Sequence, residues 1–206
     1  GHAVFSRRWQ VNDGRLKPEI VATGVNVYAT RRAFGYEKSN GTSMSSPIVA
    51  GVATLLNEQY RKSNGGAVPQ AALIKAVLCN TAEDLGNRGP DFTFGFGNLN
   101  ARRAAEAIEN NRFFISSATP STNTITVPAG ARRLKVMLYW ADTAAAPNAA
   151  TTLINDFDLT VVAPGNNTHL PLILNATPAG VNNNAVEGID RINNIEQVIV
   201  DNPVAG

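Results

Sequence analysis

The apolar positions of the chain keep one spacing up to about residue 110 and another beyond it. Over residues 44–60, Ile48, Val52, Leu55 and Leu56 recur at helical spacing, with small Ala50, Gly51 and Ala53 between them. A helix that is apolar or small nearly all round is expected to be buried. Pro47 falls in its first turn, where the missing N–H costs little. The polar run Arg61-Lys62-Ser63-Asn64-Gly65-Gly66 ends it. Val68-Pro69 opens a second helix through Ala72, Leu73, Ile74, Ala76, Val77 and Leu78, closed by Asn80-Thr81-Ala82-Glu83-Asp84. A loop over 86–97, with Phe92, Phe94 and Phe96 alternating, leads to an alanine-rich helix that ends near Glu109. Ahead of the first helix, Glu19-Ile20-Val21-Ala22-Thr23 and Val25-Asn26-Val27-Tyr28-Ala29 read as short strands around Gly24, and residues 31–40 read as a polar loop.

Near residues 110–112 the period changes from 3.6 to 2. Strand-like runs then follow at 113–115, 124–127, 134–140, 157–162, 170–174 and 195–200, separated by turns such as Pro128-Ala129-Gly130 and Ala163-Pro164-Gly165-Asn166-Asn167. Short strands in succession with no helix between them predict an antiparallel sandwich. The change of period places a domain boundary there, giving an α/β part over 1–112 and an all-β part over 113–206.

Composition narrows the setting. With 206 residues, 44% hydrophobic and 17% charged, the chain has the balance of a folded protein and not of a disordered one. A net charge of +2 implies neither a nucleic-acid partner nor an anionic membrane surface. No apolar run approaches the roughly 18 residues that span a bilayer. The few charges, beside many Asn, Thr, Ala and Gly, lean towards a protein that works outside the cytoplasm. The first residues do not form a signal peptide, and the chain reads as a piece of something longer. A single cysteine, Cys79, excludes an internal disulfide framework; placed in an apolar helix, it reads as a buried, inert thiol.

The candidate chemistry sits at the start of the first long helix. In Asn40-Gly41-Thr42-Ser43-Met44-Ser45-Ser46-Pro47 a small-residue turn delivers Ser43 to the helix mouth, where free backbone N–H groups and the positive end of the dipole face whatever binds. That place suits a nucleophile whose attack creates an oxyanion. The plainer alternative is that Ser43 caps the helix. The string Gly41-Thr42-Ser43-Met44, then Pro47, then Ala50-Gly51, resembles the nucleophile motif of the subtilisin-like serine proteases (subtilases). Two further stretches resemble the same family: Asp13-Gly14-Arg15-Leu16-Lys17-Pro18-Glu19-Ile20-Val21-Ala22 with the earlier Phe5-Ser6, and Phe94-Gly95-Phe96-Gly97-Asn98-Leu99-Asn100-Ala101. The resemblance is loose over residues 7–11; Thr23 stands where a proline is commoner, and Ser45 where alanine is usual. Trp140-Ala141-Asp142, Asn155-Asp156-Phe157-Asp158-Leu159 and residues 190–198 resemble the jelly-roll-like β-sandwich that follows the protease domain in some bacterial subtilases.

The resemblance implies that residues 1–112 are the C-terminal portion of a parallel-sheet α/β catalytic domain, in a secreted or cell-surface endopeptidase acting on protein or peptide substrates. Ser43 would be its nucleophile, and the Ser43 backbone N–H would be part of the oxyanion hole. It also implies a triad Asp and His, whose motifs are not found in this sequence. His2 lacks the family's surroundings, and His169 falls in the β part. The missing N-terminal part of the protease domain, or a second copy, is then an expected partner. Without it, residues 20–80 are expected to leave a large apolar surface open. No cofactor is required for the chemistry. Asp156 and Asp158, two apart on a predicted strand, with Asp142, Asp190 and Asn193, offer either an oxygen-rich site for a structural calcium ion or a solvated strand face. A different class of reading makes the chain a non-catalytic binding or stabilising module in which Ser43 is vestigial.

Overall fold

The computed structural model describes residues 3, 6, 11, 13–32, 34–117 and 120–206, so His2, Phe5 and the loosely matching residues 7–10 lie outside the described residues. Helix and strand are mixed in chain order. A hairpin of β1 (Val27–Thr30) and β2 (Tyr36–Ser39) precedes three helices, α1 (Thr42–Ser63), α2 (Ala71–Asn80) and α3 (Ala101–Glu109). Six strands follow: β3 (Arg133–Tyr139), β4 (Val161–Ala163), β5 (Asn167–His169), β6 (Leu172–Ile173), β7 (Val186–Glu187) and β8 (Ile195–Asp201).

The helices form where the 3.6 period predicts them, and they meet on the predicted faces. Leu56 of α1, Leu73, Val77 and Leu78 of α2, and Ala104, Ala107 and Ile108 of α3 close one core. Leu56 and Ile108 are almost fully buried, which stabilises the fold by roughly 2–3 kcal/mol apiece. At the head of α3 the Asn100 side chain caps the helix by accepting the Arg103 N–H at 2.9 Å.

α1 departs from its expected burial. Of its residues, Val52 and Leu56 are buried, whereas Leu55 is 61% exposed and Ile48 is open as well. The expected apolar surface over residues 20–80 is present: Val25, Tyr28, Phe34, Tyr36 and Val68 are exposed beside Ile48 and Leu55. A groove of about 1010 Å³ runs between α1 and α2, with Ile20, Val49, Ala53 and Ile74 in its walls.

Two expectations about strands are corrected. Residues 31–40 are not all loop: Tyr36–Ser39 pairs antiparallel with Val27–Thr30, aided by stacking of the Tyr28 and Tyr36 rings at 5.5 Å. The sequence of β2 hid this because none of its residues is a buried apolar one. In the second part, the described strands form three separate two-stranded sheets, β3-β8, β4-β5 and β6-β7, and no sandwich of stacked sheets. The longest ladder, β3 against β8, runs from Arg133↔Asp201 to Tyr139↔Ile195. The runs at 113–115 and 124–127 form no strand, although Val127 and Gly206 exchange backbone hydrogen bonds at 2.8 and 3.2 Å. Period-2 patterning supplies a face to bury, but a strand also needs a partner edge.

The glycine-rich loop after α2 is fastened by backbone pairing. Glu83 and Asn98 exchange hydrogen bonds at 2.8 Å each way, and Val21 bridges the same place by donating to Gly97 O and accepting from Leu99 N. That parallel bridge between Val21 and Asn98 is isolated, so among the described residues no parallel sheet is formed. Gly97 has φ 119°, and a Cβ there would overlap the Glu83 carbonyl, so the close approach of these segments requires glycine. Phe92 and Phe96 from this loop enter a second core with Leu16, Cys79, Ala82, Val181 and Ile195.

Candidate active site

Ser43 stands in the first turn of α1, four residues after the hairpin ends at Ser39. The residue before the helix is Gly41, in extended conformation (φ 159°, ψ 157°), and no side-chain cap bond is made there. Ser43 is therefore not the cap, which removes the plainer alternative for its presence. Its side chain is exposed. A Cβ on Gly41 would come within 3.0 Å of the Ser43 hydroxyl oxygen, so glycine at 41 keeps the approach to that oxygen clear. No acidic residue occupies the first turn, and Thr42 and Ser43 present backbone N–H groups that an α-helix cannot satisfy internally.

The turn carrying Ser43 is tied to the segment 22–26 at three points and closed by one bond of its own. Gly41 N donates to Gly24 O at 2.8 Å, Met44 N to Gly41 O at 3.0 Å, and Asn26 N to the Asn40 side-chain oxygen at 2.6 Å. The last tie is made by Ser45, whose hydroxyl donates to the Ala22 carbonyl at 3.0 Å. Gly24 leaves the space that the Ser45 hydroxyl fills, because a Cβ at 24 would collide with it and would stand 2.8 Å from Gly41 O. Ser45 reads in the sequence as a neutral replacement for alanine, which misses its tie to Ala22. The one signal for that tie is a hydroxyl within the first helical turn.

Among the described residues no histidine stands as a base for Ser43. His169 lies on β5, where its Nδ1 is 3.5 Å from a carboxylate oxygen of Glu187 on β7, and His2 lies outside the described residues. Among the described residues no imidazole or carboxylate is hydrogen-bonded to the Ser43 hydroxyl. Cys79 is buried, and burial, reinforced by the charge of Glu19, pushes its thiol up to about 12. It is the inert thiol expected of it.

The five oxygen donors considered for calcium are not brought into one site. Asp156 and Asp158 do not lie on a strand, so the predicted common face is absent. Arg191 instead donates to both, at 2.8 and 2.9 Å, and its guanidinium holds the place between them. Burial opposes ionisation of Asp142, yet the N–H groups of Ile154, Asn155 and Thr143 and the Asn155 amide hold its carboxyl below the usual range. Asp190 accepts from Ile192 N, Asn193 N and the Asn193 amide at 2.8 to 2.9 Å. With a guanidinium between two donors and the others turned to local N–H groups, this set does not fit an oxygen-coordinated ion. Among the described residues no group of three metal-ligating side chains converges.

Comparison with known proteins bears on the first half of the chain. Residues 2–97 match the subtilase family. Ser43, Gly97 and the ties around residues 22–26 all lie within that subtilase-like segment. The chain is 26% identical over 248 residues to the serine protease/ABC transporter B family protein tagA of Dictyostelium discoideum, covering 98% of this chain and 14% of that protein. It is 34% identical over 110 residues to a C5a peptidase of Streptococcus pyogenes, covering 50% of this chain and 9% of the relative. Among solved structures, the CspB protease of Clostridium perfringens is 31% identical, with a TM-score of 0.48, over 52% of this chain and 24% of that one. The chain spans a small part of each relative's length, 14% and 9% for the two sequences. No helix among the described residues is long and apolar enough to cross a membrane.

Proposed function

We propose that the chain is the C-terminal part of the catalytic domain of a secreted or cell-surface subtilisin-like endopeptidase. On this reading residues 1–112 are the catalytic part and residues 113–206 an accessory β part that packs against it. Ser43 attacks the carbonyl carbon of a protein or peptide substrate. Its hydroxyl proton passes to a histidine oriented by an aspartate, both supplied by a segment outside this sequence. The tetrahedral oxyanion is met by the Ser43 backbone N–H at the helix mouth. Residues 1–206 hold the nucleophile without its base, so on their own they are inactive; the chemistry requires no cofactor.

The observation that supports this most is the setting of Ser43: exposed, uncapped, beside a glycine that leaves its oxygen approachable, on a turn tied to the segment 22–26 at three points. A serine kept merely for helix capping would stand at position 41. The expected result is that a fluorophosphonate probe labels the intact protein at Ser43, located by peptide mass spectrometry, and that Ser43→Ala abolishes both label and peptide hydrolysis, the latter by about ten thousandfold or more. An intact protein that hydrolyses peptides equally well as Ser43→Ala would overturn the assignment. One that neither hydrolyses nor reacts at Ser43 is a binding or stabilising module.

A further inference from the structure

The β1–β2 hairpin turns its aromatic side outward. Opposed residues of an antiparallel pair share a face, as does every second residue along a strand. The register Tyr28↔Lys38 and Thr30↔Tyr36 therefore sets these four on one face, and Val27, Ala29, Glu37 and Ser39 on the other. Val27, Ala29 and Ser39 are part-buried, so the second face is the inner one. On the outer face Tyr28 is 67% and Tyr36 62% exposed, and Phe34 at the hairpin tip is wholly exposed. The two tyrosine rings stack at 5.5 Å with 25° between their planes, forming an ordered slab with an ammonium, Lys38, at its edge. Aromatic area of this kind, left in water beside cations, marks a binding surface more often than a packing face.

Charge narrows what it binds. Residues 27–39 carry Arg31, Arg32 and Lys38 against a single carboxylate, Glu37, which is exposed but points to the opposite face of the hairpin; the arginines lie in the turn, where Arg31 Nε donates to Phe34 O at 3.4 Å. The outer face is thus aromatic with Lys38 as its cation, and the two arginines stand in the turn near Phe34. Its complement is a segment that alternates apolar and acidic side chains: apolar groups cover the tyrosine slab, and carboxylates meet Lys38 and the arginines. Three cations are too few for the many phosphate contacts on which nucleic-acid affinity rests. Position supplies the rest. Lys38 is five residues from Ser43, hence no more than about 18 Å away along the chain, a span that one extended peptide crosses in a few residues.

We propose that the outer face of the β1–β2 hairpin, built on Tyr28, Tyr36, Phe34 and Lys38, is a docking surface for acidic, extended segments of the protein substrate. The proposal rests on the reading of Ser43 as a nucleophile and names the class of substrate that reaches it. The test uses the intact protein as Ser43→Ala, so that bound peptide is not cut, with a fluorescently labelled peptide of alternating glutamate and leucine and its glutamine counterpart. The acidic peptide is expected to bind more tightly. Lys38→Glu weakens it roughly fivefold, and Tyr36→Ser by a similar factor or more, while the glutamine peptide does not respond to Lys38→Glu. Equal binding of the two peptides, or an affinity unchanged by both substitutions, would sink the proposal; the second is the result if the missing part of the catalytic domain covers this face. So would binding to phosphatidylserine vesicles that Phe34→Ser abolishes, without binding of the peptide, because the tip would then be a membrane contact. Fluorophosphonate labelling of the unsubstituted protein separates the two readings. Labelling at Ser43 without peptide binding overturns the docking surface alone, whereas binding as expected without labelling supports the surface and overturns the nucleophile.

Discussion

The two cores of this molecule are built differently. The first, centred on Leu56 and Ile108, draws every buried member from α1, α2 and α3, with Phe113 from just beyond residue 112 packed on it, and opens on its far side into the groove beside Ile20 and Val49. The second takes Leu16, Cys79, Ala82, Phe92 and Phe96 from before that point and Val181 and Ile195 from after it, with Met137, Tyr139, Leu174 and Ala176 packed around them. Polar ties follow the same line: Gln197 donates to the Asn80 side chain, the Asn80 amide to Lys135 O, Leu16 N to the Asn193 side chain, and Thr152 to Asp13. The change of hydrophobic period near residue 112 marks a change in the kind of element, and packing runs across it. The lesson is that the β part braces the loop that carries Gly97 and pairs with Val21, and so reaches the segment on which the Ser43 turn is fastened.

Paired core truncations test this most strongly. Ile108→Ala and Ile195→Ala each remove a nearly fully buried side chain, and each is expected to cost about 3 kcal/mol, within the 2–5 range typical of such changes, read as a shift of the urea midpoint. Their reach should differ. In hydrogen exchange, Ile108→Ala loosens α1 and α3 first and leaves the β3–β8 ladder protected. Ile195→Ala loosens the ladder and the 86–97 loop together. If Ile195→Ala spares the amides of that loop, the second core is not shared and the comparison fails.

The contrast also explains what could be read in advance. The first core was legible because α1, α2 and α3 are each long enough for a 3.6 period to select a face, and Leu56, Leu73, Val77 and Ile108 fall on it. The second core was not, because its members come from a loop, a turn and a strand, with no common period. The hairpin was hidden since Tyr36, Glu37 and Lys38 all face solvent, so neither period applied. At the candidate site, the location of Ser43 and its glycine followed from local sequence. The paired role of Asp156 and Asp158 did not: it depended on a strand assignment and on Arg191, more than thirty residues away, which took both carboxylates.

A buried carboxyl and a half-buried ammonium near the ladder should titrate in opposite senses, a smaller effect than core truncation. Glu196 on β8 is buried, accepts the Leu159 N–H on one oxygen and leaves the other without a partner. Burial, with Asp190, Asp158 and Asp156 adding, pushes its carboxyl up to about 7 from an ordinary 4.5. The folded state then binds more protons than the unfolded state between those values, so stability falls as pH rises through that window, by on the order of 2 kcal/mol. Lys135 on β3 donates to Ala82 O at 3.0 Å, and burial brings its ammonium down to about 8 from 10.5. Here the unfolded state binds more protons, so stability rises between about 8 and 10.5. Melting temperature against pH reads both: Glu196→Gln flattens the acid-side slope and Lys135→Met the alkaline one. A slope that survives its substitution assigns that titration to another group.

The smallest effect concerns the rim of the second core. Asp201, at the end of β8, receives Arg133 of β3 at 2.6 Å and Arg88 of the glycine-rich loop at 2.7 Å, thereby joining ladder to loop across the same boundary that the apolar core spans. Arg133 first, then Arg88, holds its carboxyl below the usual 3.8, so the stability it adds is present above that value and is lost as pH falls through the lowered one. All three side chains are between a third and a half exposed, and water and salt weaken such pairs. Asp201→Asn should therefore cost less than about 1 kcal/mol at neutral pH, and less again in concentrated salt. Measured beside Ile195→Ala, it weighs the two means of joining the halves. A cost near that of the isoleucine truncation would mean that the halves are held by their charged rim, and that apolar packing is secondary. The geometry argues the reverse, because the ions lie where water already competes for them and Ile195 lies where it does not.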